Sequence, residues 1–258
     1  MGAFRVIPCL DVDQGWVVKG VRFQQLQAMD RPVVLAQRYR NEGADELVIL
    51  DVSASVEGRL AQRATVAAVA EVLDIPLTVG GGVRGVDDAL ELLAAGADKV
   101  AVNTAAVADP SILERLAQCV GRQAVVLAID ARRREGGWEV VTHGGRRPTG
   151  RDALAWAREG VERGAGEILL TSVDQDGTGA GFDNALLAAV RQVVSVPIIA
   201  SGGGTRVEDF VEAFRAGADA GLAASIFHRQ QTTVNQLKQR LAAYGVPVRW
   251  EEAWMAQG

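Results

Sequence analysis

Lysine is scarce in this chain of 258 residues. Of its 27 basic residues, only Lys19, Lys99 and Lys238 are lysines. A lysine ammonium is a compact point charge, whereas an arginine guanidinium is a planar fork. Positions that keep lysine in such a chain are therefore candidates for roles that arginine cannot fill, although chance explains any one of them equally well.

Cysteine and long apolar runs are scarce too. Cys9 and Cys119 fit neither a metal-ligand pattern nor a disulfide scaffold. We expect no signal peptide, and no apolar run approaches the ~20 residues that span a bilayer. The net charge of −5 lacks the positive excess that is typical of proteins that bind nucleic acid. We therefore expect a cytoplasmic protein that binds neither nucleic acid nor membrane, and we interpret the arginines of 132–134 and 144–147 as solvated loop charges.

Two passages of the sequence are nearly alike. VGGGVRGVDDALELLAAGAD ends at Asp98, and ASGGGTRVEDFVEAFRAGAD ends at Asp219, 121 positions later (219 − 98). A repeat at a fixed offset is sought first, because missing it misassigns the whole fold. We expect two related halves, approximately residues 1–121 and 122–245.

Short apolar runs rich in β-branched residues alternate with helical patterns along the whole chain. Strands are predicted near 4–10, 47–52, 76–80, 98–103, 124–130, 167–172, 197–201 and 219–224. Helices are predicted near 32–43, 59–73, 86–95, 110–119, 151–163, 184–194, 207–216 and 232–244. This alternation predicts an α/β protein with a parallel sheet, and eight units predict a single (β/α)8 TIM barrel of two half-barrels. A doubly wound open sheet is the alternative, which the duplication disfavours because two equal halves close into a ring.

Each half opens with an apolar strand that ends in an aspartate, VIPCLD at Asp11 and AVVLAID at Asp130. The first and fifth strands of an eight-stranded ring lie opposite each other, and barrel active sites lie at the carboxyl ends of the strands. Both carboxylates are expected at one mouth, where they can divide acid and base work. A helix cap or loop hydrogen bond explains either aspartate alone, but the symmetry-related pair favours catalysis.

The glycine-rich stretches follow the third and seventh strands, and each precedes a helix. Glycine lets backbone N–H groups approach an anion, and a helix N-terminus adds partial positive charge. A GGG sequence alone also suits a tight turn. Here VNTAAV and LAASIF follow the fourth and eighth strands and put the hydroxyls of Thr104 and Ser225 at matching places. We predict two phosphate sites on opposite sides of one mouth, suited to a ligand with a phosphate at each end.

Several motifs together resemble one family. CLDV, VVKG, LDVSAS, VGGGVR, VNTAAV, AIDA, GAGEILLTSVDQDGT and IIASGGG are similar to the cyclase subunit of imidazole glycerol phosphate synthase, over about residues 4–249. The resemblance implies a lyase of histidine biosynthesis, which uses ammonia to convert a ribulosyl formimino aminoimidazole carboxamide bisphosphate to imidazole glycerol phosphate and aminoimidazole carboxamide ribotide. It implies no metal, flavin or nicotinamide cofactor. The related phosphoribosyl formimino isomerase and a non-catalytic phosphosugar-binding barrel are the alternatives.

The resemblance also implies site residues. Asp11 and Asp130 are the general acid/base residues, and Lys19 contacts substrate from the loop after the first strand. The other substrate- and phosphate-binding residues are Gly81, Gly82, Asn103, Thr104, Thr171, Asp176, Gly177, Ser201, Gly202, Gly203, Ala224 and Ser225. Related cyclases often place a hydroxyl near Gly144, so the THGG sequence departs from their pattern. Neither His143 nor His228 is expected to be catalytic.

Four charged residues lie at or just before the starts of predicted strands, on the face opposite the active site: Arg5, Glu46, Lys99 and Glu167. Composition alone suggests a salt-bridged barrel floor. By resemblance, they match a charged ring that gates an ammonia path where a glutaminase subunit docks. Asp98 and Gln123, on the same face, would contact that partner. No glutaminase triad is evident in this chain, so the glutaminase is expected to be a separate protein in a heterodimer.

Overall fold

A closed barrel of eight parallel strands organises the computed structural model, which describes residues 2–21, 24–57 and 60–250. The strands of this part of the chain are β1 (Arg5–Asp13), β2 (Trp16–Val21), β3 (Gln24–Asp30), β4 (Leu47–Asp51), β5 (Leu77–Gly80), β6 (Lys99–Val102), β7 (Val125–Arg134), β8 (Gly137–Thr142), β9 (Arg147–Asp152), β10 (Glu167–Ser172), β11 (Ile198–Ser201) and β12 (Ala220–Ala223). The barrel order is β1-β4-β5-β6-β7-β10-β11-β12, and β12 pairs again with β1. The predicted TIM barrel is confirmed, and the open-sheet alternative is wrong because no barrel strand is left as an edge.

Helices connect consecutive barrel strands. Those described are α1 (Pro32–Asn41), α2 (Ala54–Glu57), α3 (Arg63–Ala70), α4 (Val86–Ala94), α5 (Thr104–Ala108), α6 (Ser111–Val120), α7 (Ala153–Glu162), α8 (Asn184–Arg191), α9 (Val207–Arg215), α10 (Ser225–His228) and α11 (Val234–Ala243). A 3-10 turn spans Arg122–Ala124. Each of the eight predicted helices has an observed counterpart whose ends differ by a few residues. The short α2, α5 and α10, which were not predicted, follow β4, β6 and β12 directly.

Side-chain caps begin several outer helices. The Asp152 carboxylate accepts a hydrogen bond from Ala155 N at 2.8 Å and starts α7. The Asp183 carboxylate accepts one from Leu186 N at 3.0 Å and starts α8. These bonds satisfy N–H groups that lack partners in the first helical turn.

Two antiparallel hairpins extend the barrel rim. β2 and β3 continue from the long end of β1, and β8 and β9 continue from the long end of β7. The expectation of loop arginines at 132–134 is therefore wrong, because β7 continues through Arg134. Arg132 donates to Gly145 O at 2.6 Å, and Arg133 pairs with Asp183 at 3.2 Å. The second cluster is a loop only as far as residue 146, since Arg147 begins β9.

The core has two layers, because side chains alternate between the two faces of each barrel strand. On β1, the residues Val6 and Leu10 pack towards the helices, whereas Ile7 and Cys9 pack inside the barrel. Because successive side chains of a strand point to opposite faces, the inward line also includes Arg5 at one end and Asp11 at the other. One strand thus joins the base of the barrel to its mouth through an apolar interior.

Candidate active site

A cavity of about 330 Å³ opens at the carboxyl ends of the barrel strands. Its lining includes every predicted catalytic and substrate-binding residue whose side chain the structure describes: Asp11, Gly81, Gly82, Asn103, Thr104, Asp130, Thr171, Asp176, Gly177, Ser201, Gly202, Gly203, Ala224 and Ser225. These residues come from seven of the eight barrel strands or from the segments that follow them. Residues spread over more than 200 positions thus meet in one concavity, while their individual roles stay predictions.

Asp11 and Asp130 face the cavity from opposite sides of the ring. Asp11 lies on β1, and Asp130 lies on β7, four strands away in the barrel order. Asp130 is in register with Thr171 on β10, which lines the same cavity. The strand count from the sequence therefore placed both carboxyl groups at one mouth.

The environment of Asp130 favours its protonated form. Burial raises the pKa of this carboxyl to about 7, and the negative charge of Asp176 adds to the rise. The side-chain amide of Asn103 donates to Asp130 Oδ2 at 3.0 Å, which acts in the opposite direction on the pKa. A carboxyl with a pKa near neutrality can both give and take a proton at physiological pH.

Asn103 also presents an oxygen to the site. Its Oδ1 is buried and has no hydrogen-bond partner among the residues that the structure describes. A buried polar atom without a partner costs about 1–3 kcal/mol, so such groups are normally satisfied by a ligand or water. Asn103 can therefore orient Asp130 with its amide and accept a hydrogen bond from a ligand with its carbonyl.

In each glycine-rich loop, a glycine lies close to the backbone of the preceding barrel strand or its end. Gly81 has φ +119°, and a Cβ there would lie 2.6 Å from Asp51 O. Gly202, at φ +94°, would bring a Cβ within 2.7 Å of Ser172 O. Both positions need glycine for conformation and for space. The two loops are equivalent, since Gly202 and Ser172 each lie 121 positions after Gly81 and Asp51 (202 − 81, 172 − 51).

The four charged residues at the opposite face form a closed ring of ion pairs. Arg5 Nη1 lies 2.9 Å from Glu46 Oε2, and Arg5 Nη2 lies 2.5 Å from Glu167 Oε1. Lys99 Nζ lies 3.1 Å from Glu46 Oε2 and 2.8 Å from Glu167 Oε2. Each cation thus contacts both glutamates, whose side chains are almost wholly buried. The ring spans the barrel at the end of the apolar interior.

Asp98 and Gln123 are exposed on this same face. The Asp98 carboxylate accepts a hydrogen bond from Leu77 N at 2.8 Å, just before Lys99. Gln123 lies in the 3-10 turn that precedes β7 and donates to Val120 O at 3.4 Å. Both side chains are therefore exposed near the starts of barrel strands β6 and β7, and their contact with a partner stays a prediction.

Comparison with known proteins identifies the family. Residues 5–233 match the family model described as "Histidine biosynthesis protein". The chain is 58% identical to "Imidazole glycerol phosphate synthase subunit HisF" of Mycobacterium tuberculosis, over 96% of this chain and 95% of the relative. It is 56% identical to the protein of the same name from Beutenbergia cavernae, over 96% and 99%. The chain belongs to the HisF family. The resemblance seen in the sequence motifs is confirmed.

In this HisF family member, the first hairpin carries Lys19. The residue lies on β2, paired with Gln27 of β3, so its predicted loop position is wrong. The side chain of Lys19 lies outside the described part of the structure. Its proposed contact with substrate stays a prediction.

The second hairpin reaches the cavity at Gly144. A Cβ at this position would meet no atom within 4 Å, although its φ of +65° favours glycine. The neighbouring His143 is half-buried, and its backbone N–H donates to the Thr104 hydroxyl at 3.3 Å. His228 ends α10 as a buried residue, with Nδ1 2.5 Å from Tyr39 Oη. Neither histidine lines the cavity.

Several cavity residues were missed by sequence reasoning. Asp51 lines the cavity, and its carboxylate also accepts a hydrogen bond from Ala54 N at 3.1 Å. Further residues of the lining that were missed include Thr178, Gly179, Gly204, Thr205, Arg229 and Gln231. Thr178, Gly204 and Thr205 lie within the motifs and repeats quoted above, whereas Gly179, Arg229 and Gln231 lie outside them and reach the rim only through the path of the chain. Among the described residues, no cluster of histidine, cysteine, aspartate or glutamate suits a metal ion, and no helix is long and apolar enough to cross a membrane.

Proposed function

We propose that this chain is the cyclase subunit of imidazole glycerol phosphate synthase, a lyase of histidine biosynthesis. The observation that carries the proposal is one cavity in which Asp11 and Asp130 lie between two equivalent glycine-rich loops. The 56–58% identity to proteins named as HisF subunits supports the same activity. The isomerase alternative has no comparable support among these relatives.

Proton transfer is the chemistry that the cavity serves. Ammonia attacks the ribulosyl carbonyl of the substrate, and loss of water gives an imine. Ring closure and fragmentation then yield imidazole glycerol phosphate and the aminoimidazole carboxamide ribotide. Asp130, with a pKa of about 7, is suited to protonating a leaving oxygen and to removing a proton in a later step. Asp11 acts as the opposing acid/base group from β1.

The two glycine-rich loops bind the two phosphates. Gly81 and Gly82 after β5, with Asn103 and Thr104 after β6, form one site. The second site comprises the corresponding residues after β10, β11 and β12: Asp176, Gly177, Gly202, Gly203, Ala224 and Ser225. Backbone N–H groups at such turns favour phosphate oxygens. Thr171, Ser201 and Lys19 contact the part of the substrate between the phosphates.

Ammonia reaches this cavity through the barrel. The ion-pair ring closes the far end, and the interior between ring and cavity is apolar, with Ile7, Val48 and Leu169 among its residues. Such an interior admits neutral ammonia and disfavours ammonium, because an unpaired charge is costly in an apolar medium. The source is a separate glutaminase subunit, which docks on the ring face against Asp98 and Gln123 to form a heterodimer. The cytoplasmic location of the complex stays a prediction.

The barrel is inferred to descend from a duplicated half-barrel, residues 1–121 and 122–245. Asp98 Oδ2 accepts from Leu77 N at 2.8 Å, and Asp219 Oδ2 accepts from Ile198 N at 2.9 Å. Both residues of the second bond lie 121 positions after those of the first (219 − 98, 198 − 77). The same local bond at the same offset supports a common origin of the halves.

The test is an assay of the purified protein with the ribulosyl bisphosphate and ammonium salt, monitoring imidazole glycerol phosphate. The expected result is turnover that depends on ammonium, and turnover with glutamine only when a glutaminase partner is added. Conversion of the isomerase precursor without ammonia would overturn the assignment. Binding of the bisphosphate without turnover in any condition would favour the non-catalytic barrel.

A further inference from the structure

The charges of the cavity are unbalanced for an anionic ligand. Four carboxyl groups line it, those of Asp11, Asp51, Asp130 and Asp176. Among the described lining residues, a single side chain is cationic, that of Arg229. A bisphosphate brings further negative charge, and like charges at close range disfavour binding. The position of this arginine therefore bears directly on how the ligand is held.

Arg229 lies one helical turn beyond Ser225. Its backbone N–H donates to Ser225 O at 2.9 Å, and it follows the last residue of α10. Residues four apart in a helical turn share a face. Since Ser225 lines the cavity, Arg229 extends the same face towards the rim.

The guanidinium of Arg229 is available for a ligand. The side chain is exposed, and within residues 2–21, 24–57 and 60–250 no hydrogen bond or ion pair involves its guanidinium. By contrast, Arg133 and Arg191 are held by Asp183 and Asp219. An arginine that lines an anion cavity without a carboxylate partner retains its five N–H donors for the ligand.

The equivalent place in the first half holds no cation. Position 229 corresponds to Ala108 at the offset of 121 (229 − 121), and Ala108 is the last residue of α5. The two phosphate sites are thus similar in their glycine loops and in their hydroxyls, Thr104 and Ser225, but differ in charge at this point. A cation at one phosphate site and none at the equivalent place of the other makes the two sites unequal for the two ends of an elongated ligand.

We propose that Arg229 binds the phosphate held beside Ala224 and Ser225 and thereby selects which end of the bisphosphate occupies that site. A guanidinium can donate two parallel N–H bonds to phosphate oxygens, and such charge-assisted bonds are stronger than neutral ones. The proposal rests on the proposed function, since it names a residue that binds the substrate of that reaction. No covalent step is involved.

The experiment compares Arg229→Gln with the parent and with Arg240→Gln, which removes the same charge from an exposed position of α11 outside the cavity. In the ammonium-dependent assay, Arg229→Gln is expected to raise KM for the bisphosphate about tenfold, with kcat changed less than about threefold. Arg229→Lys, which keeps the positive charge but not the planar guanidinium, should give a KM between those of the parent and Arg229→Gln. An unchanged KM in Arg229→Gln, or an equal rise in Arg240→Gln, would overturn the proposal.

A second measurement is independent of turnover. Titration of the ligand-free proteins with inorganic phosphate, followed by ³¹P NMR, should show two sites in the parent and selective weakening of one in Arg229→Gln. If phosphate binding depends on Arg229 but the parent does not turn over the bisphosphate, the proposed function fails and the arginine site stands. If both phosphate sites are unaffected, the arginine site fails whatever the activity.

Discussion

The side-chain amide of Asn103 lies 3.0 Å from Oδ2 of Asp130 and opposes the burial that raises the pKa of that carboxyl to about 7. The hydrogen bond favours the charged carboxylate, whereas burial and the nearby Asp176 favour the neutral acid. Burial is the stronger influence. The carboxyl is consequently divided between its two protonation states near pH 7.

Asp130→Asn should abolish most of the activity. An amide cannot exchange a proton as a carboxyl does, so ammonium-dependent kcat is expected to fall by about 10²–10⁴-fold. The matched control is Glu162→Gln, an equivalent change at an exposed position of α7, which should retain parental kcat. If Asp130→Asn binds the bisphosphate and turns it over at the parental rate, the acid/base assignment is wrong.

Asn103→Ala should raise the pKa of Asp130 further, because the bond that favours the charged form is lost. In the ligand-free protein, the carboxyl resonance of Asp130 should titrate above about pH 7 in the variant. The limb of the pH profile of kcat that reports Asp130 should move in the same direction. A shift to lower pH would contradict the opposing roles assigned to burial and to Asn103.

Asp130 should also destabilise the folded protein at alkaline pH. Its folded pKa is raised from 3.8 to about 7, so the neutral buried acid contributes stability at low pH that is lost as the pH rises through 7. Asp130→Asn does not lose this stability, because an amide does not ionise as the pH rises. The variant should unfold like the parent near pH 4 and gain up to about 4 kcal/mol over it by pH 8, measured by urea denaturation. An advantage greatest at pH 4 would contradict this sign.

Lys99→Ala should uncouple ammonia supply from cyclisation. The change leaves Glu46 and Glu167 with Arg5 as their sole ring cation and opens the end of the apolar interior. Turnover with glutamine and added glutaminase should fall several-fold relative to turnover with ammonium salt. Arg158→Ala, at an exposed position of α7, should leave both rates unchanged. An unchanged ratio in Lys99→Ala would count heavily against the gate.

Lys238→Met should destabilise the fold by about 3–5 kcal/mol, because it leaves the buried Asp45 carboxylate without its cation. Lys238 Nζ lies 2.8 Å from Asp45 Oδ1 and 2.6 Å from Gly43 O, and both side chains are almost fully buried. Adding Asp45→Asn removes the orphaned charge and keeps an acceptor for Val6 N, which now donates to Asp45 at 2.8 Å. The double variant should therefore recover much of the loss in thermal unfolding, and no recovery would contradict a charge-based cost.

Local patterns accounted for most of the barrel. The apolar, β-branched runs and the helical patterns depend on neighbouring residues, so eight strands and eight helices could be predicted. The hairpins of β2–β3 and β8–β9 could not, because their pairing depends on the long ends of β1 and β7, which carry mixed polar sequence. Arginines 132–134 looked like loop charges for the same reason.

The scarcity of lysine pointed to Lys19, Lys99 and Lys238, and the last two have very different places in the fold. Lys99 lies between two glutamates at the base of the barrel, and Lys238, a residue of α11, is buried against Asp45. Composition could single them out but could not distinguish their surroundings. Arg229 was missed because nothing near it in sequence marks it as a cavity residue.

By itself, the sequence determined the strand order, the duplication signal and the placing of Asp11 and Asp130 at one mouth, since a ring of eight fixes which strands oppose each other. Only the tertiary structure decided the protonation of Asp130, the closure of the ion-pair ring and the lone cation among the described residues of the cavity wall. Burial and charge at a point depend on groups far apart along the chain, and those distances exist only once the barrel has closed.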